Sequence, residues 1–350
     1  MKNRMFLPIT IKGKNIRNRV VMPPMVYFGR AGNDGLVTQQ HIDHYMARAK
    51  GGTGLIIVEA ACVHPEGRLS NDQLGIWSDE HIPGLKAIVD ACHQYGAVVM
   101  IQIHHAGIKS PTSVTDRPVA PSPVEGNTAC ELTVEEIEEI RHCFVQAALR
   151  ARKAGFDGIE LHGAHGYLLS QFSSSLTNRR TDEYGGDLVK RMKLALDIIH
   201  DIRRELGHKN FIIGYRMGGN DPTLDDGIKI AKLLEEAGVD LIHVSAGITD
   251  PDIPLPETPK NFPFNWIVYC GTVINKHVSI PVIVVNNIKT GEEAALIIEN
   301  RLADFVAIGR GHLTDPEWTN KAMDKLEATR CLDCKPRCRW FTVGDACPGD

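Results

Sequence analysis

The stretch Gly158-Ile-Glu-Leu-His-Gly-Ala-His-Gly-Tyr167 decides how the rest of the chain is interpreted. Its apolar first half follows Ala154-Gly155 and predicts a short buried strand. The strand ends at His162, so His162, His165 and Tyr167 gather at its C-terminal end. In parallel α/β proteins, that end of a strand lines the ligand crevice. Two imidazoles and a phenol there could hold a carbonyl or carboxylate, and the phenol could deliver a proton.

Two other interpretations of this cluster remain open on the residues alone. One histidine could cap a helix while the other two side chains lie at the surface. The His-x-x-His pair could also supply half of a metal site. The surroundings of the cluster in the fold therefore have to separate these possibilities.

The same alternation of a short apolar run and a helix occurs eight times, after a hairpin pattern over residues 6–19. The predicted strands cover 20–22, 54–60, 97–103, 158–161, 211–216, 240–245, 281–285 and 304–308. The predicted helices cover 38–50, 79–95, 133–154, 187–206, 224–237, 264–277, 290–300 and 314–328. Continuous apolar strands are typical of a parallel sheet covered on both faces, and eight units favour a (β/α)8 TIM barrel. No G-x-G-x-x-G motif follows a strand, so a Rossmann fold is the weaker alternative. We expect one domain, with the barrel over residues 1–328 and a Cys-rich segment over 329–350.

Composition and charge exclude several classes of function. The formal net charge of −4 gives no basic surface for nucleic acid. The apolar runs are far too short to span a bilayer, and Met1-Lys-Asn-Arg lacks the apolar stretch of a signal peptide. We therefore expect a cytoplasmic protein, with its oligomeric state open.

Polar residues end several predicted strands, where the barrel would bring them together on one face. They are Glu59, Gln102, His104, His105, His162, His165, Arg216, His243 and Ser245. The last two strands end in Asn286-Asn287-Ile288 and Gly309-Arg310-Gly311. Barrels commonly bind phosphate at these two loops, and Arg310 adds a bidentate donor. An ordinary turn with a surface arginine is the alternative.

With these motifs the chain resembles the old yellow enzyme family of FMN-dependent ene-reductases, closest to the branch containing 2,4-dienoyl-CoA reductase. The matching stretches follow one another through nearly the whole chain. They are Asn18–Met25, Gly54–Ala60, Gln102–Gly107, Glu160–Tyr167, Asn178–Gly186, His243–Gly247 and Ala307–Arg310.

The resemblance implies reduction of the C=C bond of an α,β-unsaturated carbonyl compound, with hydride from FMN N5 and a proton from Tyr167. His162 and His165 would bind the substrate oxygen. An electron-transfer flavin module working with a separate reductase is the alternative. The implied flavin-binding residues are Pro24, Met25, Ala60, Gln102, Arg216, Asn287, Gly309 and Arg310. NADH or NADPH is implied as a possible electron donor.

The sequence departs from the family pattern in two places. Val26 stands where relatives carry residues that can hydrogen-bond the flavin O4, so we expect that bond to be absent. Asn286-Asn287 replaces the usual Gly-Gly before Ile288. Because Asn tolerates positive φ better than other residues with side chains, we expect the loop to keep its backbone shape.

Four of the nine cysteines, Cys331, Cys334, Cys338 and Cys347, crowd into one short segment. Their spacing suits a 4Fe–4S cluster, while zinc binding or a purely structural role are alternatives. The dienoyl-CoA reductase branch carries such a cluster and continues into flavin and nicotinamide domains that this sequence lacks. We therefore expect a separate ferredoxin or flavoprotein to supply electrons near this segment, with direct reduction by NAD(P)H slow.

Overall fold

The computed structural model describes residues 3–123, 126, 128–335, 338–340 and 347. Its strands are β1 (Ile9–Ile11), β2 (Lys14–Ile16), β3 (Val20–Met22), β4 (Leu55–Cys62), β5 (Val98–His104), β6 (Val119–Ala120), β7 (Cys130–Glu131), β8 (Gly158–Gly163), β9 (Ile212–Gly218), β10 (Leu241–Ser245), β11 (Val282–Val285) and β12 (Phe305–Ala307). Eight of them, β3–β5 and β8–β12, close into a barrel in chain order, and every neighbouring pair of barrel strands is parallel. Outside the barrel, β1 and β2 form an antiparallel hairpin. The predicted (β/α)8 barrel and its N-terminal hairpin are confirmed.

The helices alternate with the barrel strands. They are α1 (Gln39–Lys50), α2 (Ile82–His93), α3 (Val134–Lys153), α4 (Leu168–Ser173), α5 (Leu188–Leu206), α6 (Leu224–Glu236), α7 (Trp266–Asn275), α8 (Gly291–Glu299), α9 (Arg310–Thr314) and α10 (Trp318–Met323). Helix α3 begins with the predicted capping box, in which Thr133 and Glu136 bond each other's backbone N–H groups.

The prediction of one final helix over 314–328 is wrong. The chain forms the two short helices α9 and α10 instead, and Asp315 between them is extended, with φ −149° and ψ 99°. Pro316 explains the break, because a proline disfavours the helical conformation of the residue before it. Helix α4 and the small β6–β7 pair, which lie in the loops around the barrel mouth, were not predicted from the sequence.

Apolar side chains fill both the interior of the barrel and the space between its strands and the surrounding helices. The interior contains buried residues from alternate strand positions, including Leu55, Met100 and Phe305. Ile11 and Ile16 of the hairpin pack onto the same cluster and so close the bottom of the barrel. The opposite, C-terminal end of the strands stays open for a site, as is usual for this fold. Among the described residues, no helix is long and apolar enough to cross a membrane.

Candidate active site

A cavity of about 740 Å³ opens at the C-terminal end of the barrel strands. Its size lies within the range of roughly 300–1,000 Å³ usual for small-molecule sites. Every residue predicted for catalysis or flavin binding lines it: Pro24, Met25, Ala60, Gln102, His162, His165, Tyr167, Arg216, Asn287, Gly309 and Arg310. Val26 lines it as well.

The histidine–tyrosine cluster forms one wall of this cavity. His165 and Gly166 both have left-handed backbones, with φ of 61° and 68°, and this tight turn brings Tyr167 back toward His162. The ring centroids of His162 and His165 are 5.1 Å apart, and those of His162 and Tyr167 are 4.8 Å apart, in each case edge to face. The three side chains can therefore meet one small ligand.

Burial keeps both imidazoles neutral. It lowers the pKa of His162 well below its usual value, and the neighbouring His165 adds to the effect. Burial and then Arg216 lower the pKa of His165 in the same way. A neutral imidazole has one N–H donor. In His162 the backbone N–H of Ala164 donates to Nδ1 at 3.4 Å, which assigns the ring proton to Nε2.

Ser245 links the second histidine to the buried arginine. Its hydroxyl lies 2.8 Å from His165 Nε2 and accepts from Arg216 Nη2 at 3.4 Å. The hydroxyl has one proton and two lone pairs, so it can either donate to His165 Nε2 or accept from it, and the contact holds the ring in place in either tautomer. Sequence reasoning placed Ser245 at a strand end but assigned it no role.

Tyr167 is a protonated phenol in this setting. Burial raises its pKa, and Arg216 opposes that shift only in part. Lys109 Nζ lies 5.2 Å from the ring centroid and donates to the His165 carbonyl at 2.6 Å. Lys109 therefore holds the turn that carries both side chains, a contact between distant loops that the sequence did not reveal.

The floor of the cavity depends on Glu160, which the sequence analysis missed. Glu160 Oε1 accepts from Gln102 Nε2 at 2.8 Å, and Oε2 lies 2.9 Å from His243 Nδ1. A carboxylate can only accept, so the first contact fixes which end of the Gln102 amide is the nitrogen. The indication in the sequence was that Glu160 is a single acidic residue within an otherwise apolar predicted strand.

Several polar residues predicted to converge do not line the cavity. Glu59 is buried beside it and accepts from the Tyr27 N–H at 2.7 Å and the Tyr45 hydroxyl at 3.1 Å, and burial raises its pKa to about 8. His105 lines a separate cavity with His64. His104 packs against the Tyr167 ring at 4.6 Å, and His243 lies behind Glu160.

The loops after β11 and β12 form the other end of the cavity. Asn286 and Asn287 have positive φ values of 113° and 54°, as predicted for asparagines replacing glycines. Arg310 Nη2 donates to Asn287 Oδ1 at 3.2 Å. Lys289, from the same loop as the asparagines, adds a second cation to the lining. This end of the cavity is therefore suited to an anion.

Comparison with known proteins places this site in a family. Residues 4–329 match the NADH:flavin oxidoreductase / NADH oxidase family. The chain belongs to this family.

The similar proteins are of the old yellow enzyme type. A NADH oxidase from Thermoanaerobacter brockii is 47% identical over 92% of this chain, but the chain covers only 51% of that protein. A NADPH dehydrogenase from Halalkalibacterium halodurans is 40% identical and is covered to 96%, over 94% of this chain. A 2-naphthoyl-CoA reductase in complex with 2-naphthoyl-CoA has a TM-score of 0.86 at 25% identity, covering 97% of this chain and 55% of that one. The old yellow enzyme homologue from Zymomonas mobilis has a TM-score of 0.79 at 28% identity, with 94% of each chain covered. The chain thus spans about half the length of the first of these relatives.

The residues present fit FMN, the cofactor of this family. The Arg216 Nε–H is buried and has no hydrogen-bond partner among the described residues, and it belongs to a side chain that lines the cavity. A buried unpaired donor is costly unless a ligand satisfies it. One cavity of suitable volume thus contains the Gln102 amide, the Arg216 guanidinium and an end suited to an anion. These groups match the polar edge and the phosphate of a flavin nucleotide.

The four cysteines of the C-terminal segment lie around a separate, much smaller cavity. Cys331, Cys334, Cys338 and Cys347 line one small cavity of about 10 Å³, roughly the room of one water molecule. Among the described residues, no group of three His, Cys, Asp or Glu side chains is placed to hold a metal ion. Residues 336–337, 341–346 and 348–350 of the predicted segment lie outside the described part. Among the described residues these side chains are therefore not arranged as a metal site, and no observation supports the expected 4Fe–4S cluster, which stays a prediction.

Proposed function

We propose that this chain is an FMN-dependent ene-reductase that reduces the C=C bond of an α,β-unsaturated carbonyl compound. When bound, reduced FMN supplies a hydride from N5 to the β-carbon of the alkene. The observation that carries the proposal is the meeting of two neutral imidazoles and one protonated phenol in one cavity.

In this proposal the histidines hold the substrate oxygen. Hydride addition turns the carbonyl oxygen into a developing enolate, and two N–H donors aimed at it stabilise that charge. Neutral imidazoles suit this task, because they donate hydrogen bonds without attracting a separate counter-anion. The backbone N–H of Ala164 leaves the His162 ring proton on Nε2, and Ser245 holds the second ring in place through His165 Nε2.

Tyr167 then completes the reaction as the acid. Its phenol gives a proton to the α-carbon of the enolate, which is a strong enough base to accept it. The raised pKa keeps the phenol protonated at neutral pH. Tyr167 lies across the His162 ring, so a substrate oxygen held by the histidines places its α-carbon within reach.

The cofactor would be held from both ends. We propose that Pro24, Met25 and Ala60 lie beside the flavin ring, with Gln102 at its pyrimidine edge. Arg216 would face N1 and O2, where its positive charge favours the anionic reduced flavin. The phosphate would lie at Asn287, Gly309 and Arg310.

The decisive experiment is anaerobic stopped-flow reoxidation of the reduced protein. A panel of α,β-unsaturated aldehydes, ketones and CoA thioesters is mixed with it, and the saturated analogue of each compound serves as control. The thioesters belong in the panel because a similar structure binds 2-naphthoyl-CoA. We expect rapid reoxidation by at least one alkene and none by its saturated analogue. Failure of every alkene contradicts the proposal.

The names of the relatives, NADH oxidase and NADPH dehydrogenase, support a nicotinamide as electron donor. A separate ferredoxin or flavoprotein remains the alternative prediction. One observation favours it as a second candidate function: Cys331 lines both the flavin cavity and the small cysteine cavity. We propose that residues 329–350 belong to the barrel domain in either case.

Cys334→Ala separates the two donors, with anaerobic metal analysis of the parent protein beside it. If the cysteines relay electrons, the parent contains iron, direct reduction by NADH or NADPH is slow, and the variant loses reduction by the protein donor. Turnover of the variant with NADH or NADPH at the parent rate, with FMN retained, contradicts the relay.

A further inference from the structure

An ion-pair bridge connects the cysteine segment to the anion-binding end of the flavin cavity. Asp333 Oδ1 lies 2.5 Å from Arg310 Nη1, and Asp333 Oδ2 lies 2.5 Å from Lys289 Nζ. Each carboxylate oxygen therefore has its own cation. The two cations come from different loops, after β11 and after β12, and both line the flavin cavity.

The bridge orders side chains that would otherwise be mobile. Arg310 uses Nη1 for Asp333 and Nη2 for Asn287, so its planar fork is held at both ends. Lys and Arg side chains lose much of their rotamer freedom when they are ordered, which opposes binding. Two neighbouring cations also repel each other unless an anion lies between them.

We infer that Asp333 is a positioning residue that holds Arg310 and Lys289 in place for the FMN phosphate and thereby couples the cysteine segment to cofactor binding. This inference rests on the proposed phosphate site. Because the bridge already orders the side chains of Arg310 and Lys289 before the cofactor binds, less side-chain entropy is lost when the phosphate binds to them.

The coupling has a structural path to the cysteines. The Asp333 backbone N–H donates to Cys331 Sγ at 3.4 Å, and the residue has a left-handed backbone with φ of 49°. Farther along, Trp340 is buried and stacks on Tyr27 and His44, with ring centroids 4.5 and 5.1 Å away. The segment is therefore held against the barrel at Asp333 and at Trp340. A change in the position of Asp333 should then also move the neighbouring Cys331 and Cys334.

Asp333→Asn is the direct test, because Asn keeps the shape and tolerates the left-handed backbone while removing the charge. The apoprotein is titrated with FMN and with riboflavin, which lacks the phosphate, by flavin fluorescence. For two partly exposed ion pairs we expect FMN affinity to fall about three- to tenfold at low salt. Riboflavin affinity stays at the parent value. The difference in FMN affinity between Asp333→Asn and the parent should become smaller near 1 M salt, where the screening length is about 3 Å.

Asp90→Asn is the matched control. It removes one negative charge by breaking the exposed pair with Lys86, whose atoms are 2.7 Å apart, and neither residue lines the flavin cavity. We expect FMN affinity to be unchanged in this variant. Unchanged FMN binding in Asp333→Asn, or tighter binding from relief of repulsion with the phosphate, overturns the inference.

The reciprocal effect provides a second readout that does not involve activity. Linkage requires that if Asp333 favours FMN, then FMN favours the bridged position of Asp333. FMN, but not riboflavin, should therefore slow alkylation of Cys331 and Cys334 in the parent, as measured by peptide-resolved mass spectrometry. The protection should be absent in Asp333→Asn, and equal protection in both proteins contradicts the coupling.

Arg310→Ala distinguishes failure of the inference from failure of the phosphate site. If this variant still prefers FMN to riboflavin as the parent does, the proposed phosphate site itself is wrong. If the preference is lost in Arg310→Ala but kept in Asp333→Asn, only the role of Asp333 is wrong. Neither result depends on alkene reduction.

Discussion

Tyr167→Phe tests the proposed proton donor with little disturbance of the fold. The ring packs against His104, His162 and His165 at centroid distances of 4.6, 4.8 and 6.3 Å, and phenylalanine keeps those contacts. No described residue hydrogen-bonds to the hydroxyl, so its removal strands no buried partner. We expect the melting temperature of the apoprotein to change by no more than about 1–2 °C.

The expected loss is confined to one half-reaction. A positioned general acid contributes about 10²–10⁴-fold, and removal of the phenol should slow alkene reduction by at least about 10²-fold. At 1.36 kcal/mol for each factor of ten, this is about 2.7 kcal/mol of lost transition-state stabilisation. Reduction of the flavin by its electron donor requires no proton from Tyr167 and should stay within about twofold of the parent rate.

The measurement is anaerobic stopped-flow of the two half-reactions separately, with Tyr95→Phe as control. Tyr95 is 36% exposed and lies away from the cavity, so both of its rates should match the parent. The parent's alkene rate should also be flat from about pH 6 to 9, because the pKa of Tyr167 is raised and only its protonated form is active. An alkene rate in Tyr167→Phe equal to the parent's refutes the role, and water or another residue is then the acid.

Four further substitutions probe the site and the barrel. His162→Ala and His165→Ala should each weaken binding of phenolate or carboxylate ligands by about 10–100-fold in a flavin absorbance titration, because each removes a charge-assisted hydrogen bond. Ser245→Ala should weaken the same ligands by only about three- to tenfold, since it removes a bond that orients His165 rather than one that touches the ligand; an effect as large as that of His165→Ala shows a more direct role. Asp157→Asn tests stability against pH: burial alone would raise the pKa of Asp157, but hydrogen bonds from a histidine, a lysine and a backbone N–H lower it below 3.8. Asp157 therefore stabilises the fold above its unfolded pKa of about 3.9 and loses this effect as pH falls through the lower folded value. The parent and Asp157→Asn should differ in urea-unfolding free energy by about 2 kcal/mol at pH 6, and this gap should close as the pH falls below the ordinary pKa of an aspartate; a constant gap refutes the assignment.

The barrel could be predicted from the sequence because its signals are local. Each strand is a short apolar run, each helix has a cap or a stop, and eight repeats leave few alternatives. The exception also has a local cause: Pro316 divides the last predicted helix, and its effect on Asp315 could have been read from the sequence. The place of the site at the C-terminal end followed from the fold, so Gln102, His162 and Arg216 were found as strand-end residues.

Local sequence patterns are enough to predict the strands, the strand ends at which chemistry occurs and the residue types available there. Which of those residues meet depends on the closed fold. Glu59 and Ala60 are neighbours, yet Ala60 lines the cavity and Glu59 does not. Leu55 and Ile57 of the same strand face the barrel interior, so strict alternation would place Glu59 inside, but the register of β4 against β5 shifts between Val58 and Ala61. Glu160 contacts Gln102 and His243, and Asp333 forms ion pairs with Arg310 and Lys289. These partners are too far apart in the sequence for a local pattern to predict the contacts. Contacts of this kind arise from closing the barrel, which brings the ends of all eight strands to one place.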